Sequence, residues 1–565
     1  MSTNNSKDEG FSARLKVAKK KDVVVVGSGP SGVMAALSAR RNGAEVLLIE
    51  RESYLGGMMT GGGIGGIGIN GYTSATEGNP IVVQGISLEL LKRLQDAGGA
   101  PPGDPVTRPP IDPAVLIHLL DEMMEESNVE VLFNTIAFDV IMEDGVVKGV
   151  AIANKSGGQV ILADVVIDAT ADADLAAAAG APFVIGRPKD GRHHGGSLDL
   201  QIGGIDVDRF VEYLKNQPDL TEEERRELEA DRSRLMGAGR DPNTSLTIDG
   251  QTVVRELTGQ QLQWGSVEKA QKEGSRLPLR IATGGGGPMP GRGSAPIKDG
   301  KYLPLPAGLD IEWVDFIKKG EVPPLLGAAE HVYPPPRFAG IGVIRYGKIR
   351  ADQMMSGVYE AWFDHTNQEE ISKALIFMRK LNKVYIKFLR ERIPGFEEAY
   401  IIMESPTVGT REGRRIIGEY VLTEHDIIGA KRFPDVIGMG GPRGPDAHSV
   451  TGLWGDGVSS QLTKPYDIPY RCLVPQKVDN LLVVGRCMST THLAFGATRD
   501  MATCMSTGEA GGAAAAISAS SGVTPRNLDT AKIQNSLLNQ GVILFSADDE
   551  ARGKEILGSI AKTKK

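Results

Sequence analysis

The sequence of 565 residues predicts an α/β fold with a mostly parallel sheet and a large insertion, on three observations. Residues 22–51 run strand, tight turn, helix, strand, acid. Short strands separated by glycine turns fill the stretch from 129 to 170. A further apolar strand and a small-residue helix return near 481–517, after a long segment of different character. A chain of this length is expected to build more than one core.

The first unit reads DVVVVGSGPSGVMAALSARRNGAEVLLIER. Val23 to Val26 form an apolar run that ends at Gly27. Gly27, Ser28, Gly29, Pro30, Ser31 and Gly32 then make a G-x-G-x-x-G turn. The first glycine permits the turn, the second lets backbone approach a pyrophosphate, and the third lets helix pack on strand. The helix start offers free N–H groups and a positive dipole end to phosphates. A second strand, Val46 to Ile49, ends at Glu50, whose carboxylate suits a ribose hydroxyl. The following GGMMTGGGIGG is too rich in glycine for an element interior and reads as a loop.

Asp112 and Pro113 mark the start of a helix over 112–126. Beyond it, Asp144-Gly145 and Ser156-Gly157-Gly158 turn successive strands, and Val165 to Ala169 returns to the parallel sheet. The character changes near residue 183. Residues 206–280 are polar with helical patterning, 282–340 are rich in proline and glycine, and 366–392 regain helical periodicity until Pro394 stops it. Leu481 to Val484 is a buried strand, 498–517 a helix of Ala and Gly, and the tail after 525 helical and partly exposed. The expected division is 1–20 a disordered arm, 21–185 and 406–525 two parts of a nucleotide-binding domain, 186–405 an inserted unit, and 526–565 a helical tail.

Composition excludes several classes. Hydrophobic residues make up 41% and charged residues 24%, as in a soluble globular protein, and the net charge of −8 gives no reason to expect nucleic acid. No apolar run of about 18 residues is present, so no membrane span is expected. The polar start lacks the apolar segment of a signal peptide, which makes a cytoplasmic location the expectation. The 3 cysteines (Cys472, Cys487, Cys504) are far apart, without C-x-x-C, and read as small core residues rather than a disulfide framework or a zinc site. Asp, His and Cys never fall at recognised ligand spacings, so no metal is expected.

GSGPSG, the continuation ERESYLGGMMTGGG and the later VVIDATADADLAAAAG resemble the flavin motifs of the glutathione reductase and succinate dehydrogenase superfamily. VGTREGRRIIGEYVLTEHD and PYRCLVPQKVDNLLVVGRCMSTTHLAFGATRDMATCMSTGEAGG resemble the FAD-dependent oxidoreductase family within it. The resemblance implies a Rossmann-like FAD-binding domain with a β-meander, plus an inserted α+β substrate or cap domain. It places Glu50-Arg51 and Gly57-Met58 beside the flavin, the backbone near Ile136 against adenine, and Ala169-Thr170 in the second flavin motif. It also brings Gly485-Arg486 to the flavin edge and aims the N–H groups near Met501 and Ala502 at its pyrimidine end. Arg486 stands where the superfamily usually has a ribitol-binding acid, a departure that leaves ribitol recognition unaccounted for. The glycine loop has no histidine, so FAD is expected to be noncovalent. A second dinucleotide fingerprint and a C-x-x-x-x-C pair are both absent, against a dedicated NAD(P)H domain and disulfide chemistry.

Proton movement beside a flavin requires titratable side chains. His492 and Arg499 lie in the return segment that the resemblance brings towards the flavin. His193 and His194 form an adjacent pair in a turn-rich stretch, with a solvated loop as the plainer explanation. His448, beside Asp446 and Trp454, reads as a substrate-facing or a surface loop. His331 and His365 carry less signal. Arg411, Arg414 and Arg415 have helical spacing and suit either an anionic ligand or salt bridges with Glu412, Glu419 and Glu424. The expected function is FAD-dependent hydride transfer to or from a small organic molecule, with an external electron acceptor or donor. A monooxygenase using NAD(P)H and O2 is the alternative within redox chemistry, and an RNA- or thiazole-modifying flavoprotein the alternative of another class. A homo-oligomer is compatible with the sequence.

Overall fold

The computed structural model describes residues 15–62, 82–100, 102, 111–188, 191, 193–216, 221–224, 226–227, 363–441, 443–447, 458–461, 465–545 and 550–563, with short strands between 245 and 357. The strands β1 (Lys16–Val26), β2 (Val46–Ile49), β3 (Glu130–Leu132), β4 (Ile136–Glu143), β5 (Val146–Asn154) and β6 (Gly157–Asp168) lie in the order β3-β2-β1-β6-β5-β4. The pairs β1–β2, β2–β3 and β1–β6 are parallel. β4, β5 and β6 form the expected antiparallel meander. β6 serves two partners in succession. Its start, Gly157–Leu162, pairs with β5, and its end, Val166–Asp168, pairs in parallel with the strand Leu481–Val483.

The alternation of side chains along β1 feeds two cores. Val23 and Val25 face one, Val24 and Val26 the other, so this last part of the strand is wholly apolar because it is buried on both faces. The first core holds the helices α1 (Pro30–Arg41), α2 (Ile86–Asp96) and α3 (Pro113–Glu126) and the long helix Met501–Ser521. α3 starts where the sequence predicts, with Asp112 accepting from the N–H groups of Ala114 and Val115. Met501–Ser521 crosses α1 at backbone contact. A Cβ at Gly508 would lie 2.0 Å from the Ser31 carbonyl oxygen, and one at Gly512 2.2 Å from that of Ala35.

A third core, separate from these two, is built from residues 198–210 and 363–408. Leu198, Leu200, Ile202 and Phe210 pack there with Phe377, Met378, Leu381 and Phe388 of the helix Gln368–Arg392. The strand Asp199–Gly203 runs antiparallel between Met354–Gly357 and Tyr400–Glu404. The chain enters and leaves this region side by side, because Phe183–Ile185 pairs antiparallel with Arg414–Ile416.

Three expectations change, while the tail is helical and partly exposed as expected. Residues 16–20 are not part of an arm: they extend β1 and pair with Gln159 to Leu162 of β6. The helix expected over 498–517 is two helices, His492–Thr498 and Met501–Ser521, interrupted at Arg499 and Asp500. Residues 206–280 hold the helix Val207–Lys215 but also the antiparallel strands Ser245–Ile248 and Gln251–Val254. The tail helices Thr530–Asn539 and Glu550–Thr563 place Ile533, Leu537, Ile556 and Ile560 in the first core, and Arg552 is buried with its guanidinium 3.0 Å from Asp467. Among the described residues no helix is long and apolar enough to cross a membrane.

Candidate functional site

Two arrangements make up the candidate site. The first is a backbone cradle at the end of β1. Gly27 has a φ of +94°, and its N–H donates to the Ile49 carbonyl at 2.8 Å. A Cβ at Gly32 would sit 1.7 Å from the Gly27 carbonyl oxygen, so only glycine lets α1 start this close to the strand. Gly29 occupies the N-cap of α1 with no side-chain cap, Pro30 follows at the first turn, and a Cβ at Gly29 would meet nothing within 4 Å among the described residues. On that side no described residue covers the helix start. The turn Gly57–Met59 lies alongside, with a Cβ at Gly57 only 2.9 Å from the Gly29 Cα.

Glu50 is fixed at the end of β2. The Ser28 N–H and hydroxyl donate to one carboxylate oxygen at 2.7 and 2.6 Å, and the Glu52 N–H donates to the other at 2.8 Å. The neighbouring Arg51 is exposed and lies 3.4 Å from Glu52. Ile136 is 57% exposed at the start of β4. At the end of β6, buried Asp168 accepts from the Thr170 N–H and hydroxyl and from the Ala176 N–H, which holds Ala169 and Thr170 in their turn. Burial pushes the Asp168 carboxyl up, and these bonds oppose that shift. The Gly485 N–H donates to Thr507 at 3.0 Å. Arg486 is engaged by protein: it donates to the Ala171 and Thr410 carbonyls and reaches Asp172 at 2.6 Å. It ties the second turn to residue 410. Met501 and Ala502 open the long helix, whose N-cap Asp500 makes no side-chain cap bond.

These features fit FAD. A helix start without a cap, with no described residue over Gly29, leaves N–H groups for a pyrophosphate. The pinned Glu50 keeps a hydrogen-bond acceptor at the strand end.

The second arrangement is a buried cluster of histidines drawn from distant segments. His193 and His194 follow the strand Phe183–Ile185, and the pairing of that strand with Arg414–Ile416 brings Glu412 beside them. His492 starts the helix His492–Thr498, which Thr491 caps by accepting from the Ala494 N–H. His365 comes from the third core, its ring 4.3 Å from that of Phe363. All four histidines and Glu412 are buried.

Glu412 is the hub of this cluster. One of its oxygens accepts from the His194 N–H at 2.8 Å and lies 3.7 Å from the His194 ring nitrogen. The other lies 3.0 Å from His492 Nδ1 and against the Arg415 guanidinium. The backbone carbonyl of Glu412 meets His365 Nδ1. The rings of His194 and His492 are 4.5 Å apart. Arg415 is itself buried, donates to the carbonyls of Thr490 (3.2 Å) and Gly186 (2.9 Å), and is brought down to about 10 by desolvation. The His365 N–H donates to His193 Nδ1 at 3.2 Å, and burial pushes His193 down to about 4. Burial also holds His365 well below the usual imidazole range.

The structure thus brings His193, His194 and His492 together. Arg499 sits at the other end of the helix from His492, about 10 Å along its axis. His448 and His331 lie outside the described residues. Arg411, Arg414 and Arg415 do not share a helix face, because Arg414–Ile416 is a strand. Arg415 pairs with Glu412, Arg414 with Asp174 at 2.9 Å, and Arg411 donates to the Gly195 carbonyl. The sequence marked Glu412 only as a salt-bridge partner and His365 only weakly. The three cysteines are buried and free, with Cys504 raised to about 12 by desolvation, which makes them inert core residues.

Comparison with known proteins agrees with this geometry. Residues 22–284 and 315–537 match the family model described as FAD dependent oxidoreductase. The thiamine thiazole synthase of Aeropyrum pernix is 34% identical over 145 residues, 26% of this chain and 48% of that protein. The NADH oxidase of Thermoanaerobacter brockii is 46% identical over 52 residues, 9% of this chain and 8% of that protein. The chain therefore spans about half or less of the length of these relatives. A geranylgeranyl bacteriochlorophyll reductase-like protein from Thermoplasma acidophilum aligns over 96% of both chains, at 11% identity and a TM-score of 0.35.

Proposed function

The chain belongs to the FAD dependent oxidoreductase family, and from that premise we propose that it dehydrogenates a small organic molecule at a C–C or C–OH bond, or runs the reverse reduction. FAD, when bound, supplies the two-electron centre. Gly27, Gly29 and Gly32 would admit its pyrophosphate, and Glu50 would accept from its ribose. Gly57 and Met58, Ile136, Ala169 and Thr170, Gly485, and the helix start at Met501 and Ala502 line the remaining cofactor path. Arg486 serves this path by tying two of its turns together, in place of direct ribitol recognition.

The single observation that carries the reading is the contact of His492 Nδ1 with buried Glu412 at 3.0 Å. A histidine oriented by a carboxylate is a proton-transfer group, and the C–H chemistry of a dehydrogenase requires one proton to be moved for each hydride. His194 borders the same carboxylate, and His193, held neutral by burial, lines the wall towards the third core. Arg499, at the far end of the helix, would hold an anionic group of the substrate. The inserted unit, whose third core comes from residues 198–210 and 363–408, would shield substrate from water. Electrons pass to or from an external partner, since the sequence holds one dinucleotide fingerprint. Anaerobic mixing of the yellow protein with a panel of hydroxy acids, amines and saturated acyl compounds tests this: one class should bleach the flavin rapidly, and His492→Ala should keep FAD but lose the bleaching. Rapid saturable reduction by NADH or NADPH alone, with none by the panel, would overturn it.

A further inference from the structure

We infer that Glu412 is a positioning residue that fixes His492 as its Nδ1–H tautomer and so makes Nε2 the atom that exchanges protons. The inference rests on the reading of the cluster as the proton-handling site and specifies its working atom. The chemistry of the hydrogen-bond partners dictates the tautomer. The Arg415 guanidinium lies against Glu412, and even at about 10 it is charged near neutral pH. A carboxylate beside a guanidinium is ionised, and an ionised carboxylate can only accept. Its contact with His492 Nδ1 at 3.0 Å therefore requires the proton on Nδ1. The basic lone pair is then on Nε2.

The carboxylate cannot turn away. Its second oxygen accepts from the His194 N–H at 2.8 Å. Arg415 is anchored in turn to the Gly186 carbonyl and to that of Thr490, two residues before His492. One buried glutamate thus joins the strand exit, the histidine loop and the helix start. The ligand-type atoms of His194, Glu412 and His492 also lie within 4.8 Å of one another, a spacing open to a divalent cation. The charges argue against that occupant. Arg415 already neutralises Glu412, so a dication would enter a buried site with its charge uncompensated, and unpaired buried charge is strongly disfavoured.

The test uses the FAD-loaded enzyme with ¹⁵N in its histidine rings. The His492 signal, identified by its loss in His492→Gln, should show a protonated Nδ1 and an unprotonated Nε2 near neutral pH. In Glu412→Gln the signal should move towards the ordinary Nε2–H tautomer. His492 should also become less basic, because the Arg415 cation is then left in the buried cluster without the carboxylate. A wild-type His492 with the proton on Nε2 overturns the inference, as does an unchanged tautomer in a Glu412→Gln protein that retains FAD. So does one equivalent of zinc, retained after dialysis against zinc chloride and lost in His194→Ala. Should Glu412→Gln fail to hold FAD, the wild-type spectrum decides alone. The tautomer is read without turnover, so its failure is distinct from failure of the proposed function, which His492→Ala tests by bleaching.

Discussion

The cradle and the histidine cluster are built on opposite principles. The cradle is backbone: glycines, N–H groups and a helix start, contributed by consecutive residues from Gly27 to Gly32. The cluster is side chains: histidines at 193, 194, 365 and 492 around a glutamate at 412, all buried and drawn from four separate stretches of chain. A cofactor shared by many enzymes can be held by a local motif that barely depends on side chains. A particular proton transfer needs polar groups desolvated together, and a fold can assemble those only by long-range pairing.

The sharpest way to break the comparison is Gly29→Val against Gly32→Val. A side chain at Gly29 strikes no described residue in front of α1, so FAD should be lost while circular dichroism stays near wild type and melting matches that of the wild-type apoprotein. A side chain at Gly32 strikes the Gly27 carbonyl, so the fold itself should fail. FAD released intact on denaturation would agree with noncovalent binding, and flavin left on the precipitated chain would not. Next in size, His492→Ala should keep the visible flavin spectrum and slow reduction by substrate ~10²–10⁴-fold, the usual effect of removing a positioned proton-transfer group.

The two regions also bury titratable groups with opposite pH signatures. Glu509, on the helix that crosses α1, accepts from the Ile86 N–H at 3.1 Å and is raised to about 8 by burial. A raised carboxyl gives stability that is complete below pH ~4.5 and lost as the pH climbs through about 8. Glu509→Gln should remove that loss, gaining up to ~4 kcal/mol at pH 9 relative to pH 5 in urea titrations. His193 is lowered to about 4 by burial, so its contribution is present above ~6.5 and fades as pH falls towards 4. It should weaken the fold by up to ~3 kcal/mol across that window, and His193→Gln should flatten the acid limb. Unfolding that follows the same pH curve in the wild type and both variants would dissolve the distinction.

The same contrast explains what the sequence made legible. β1, the glycine turn, β2 and Glu50 were readable because each step constrains its immediate neighbours. The Asp112 cap and the Asp144-Gly145 turn were readable for the same reason. The antiparallel pairing that carries Glu412 to His194 joins residues more than two hundred positions apart, and no local period records it. The salt bridge of Arg415 with Glu412 was one of the two readings the sequence offered, but the helical spacing of the arginines was misread for a related cause. Three arginines at helical intervals suggest one face, but the strand pairing with Phe183–Ile185 overrides that local preference. The break at Arg499 and Asp500 was hidden because small residues flank it on both sides, Gly496 to Thr498 before it and Ala502 to Cys504 after it. His193, His194 and His492 were found as residue types suited to proton work, while their meeting point was not.

The short ladder between Phe183–Ile185 and Arg414–Ile416 has a consequence for how such enzymes diversify. Entry and exit of the intervening chain lie one strand spacing apart, about 5 Å. Closing a loop costs only slowly more as it lengthens. Everything between the two strands can therefore be lengthened, trimmed or exchanged while the seven-stranded sheet keeps its register. His193, His194, His365 and Glu412 all travel within that exchangeable stretch, and His492 stays behind with the helix. A new insertion would inherit the flavin and one histidine, and would bring its own partner for that histidine.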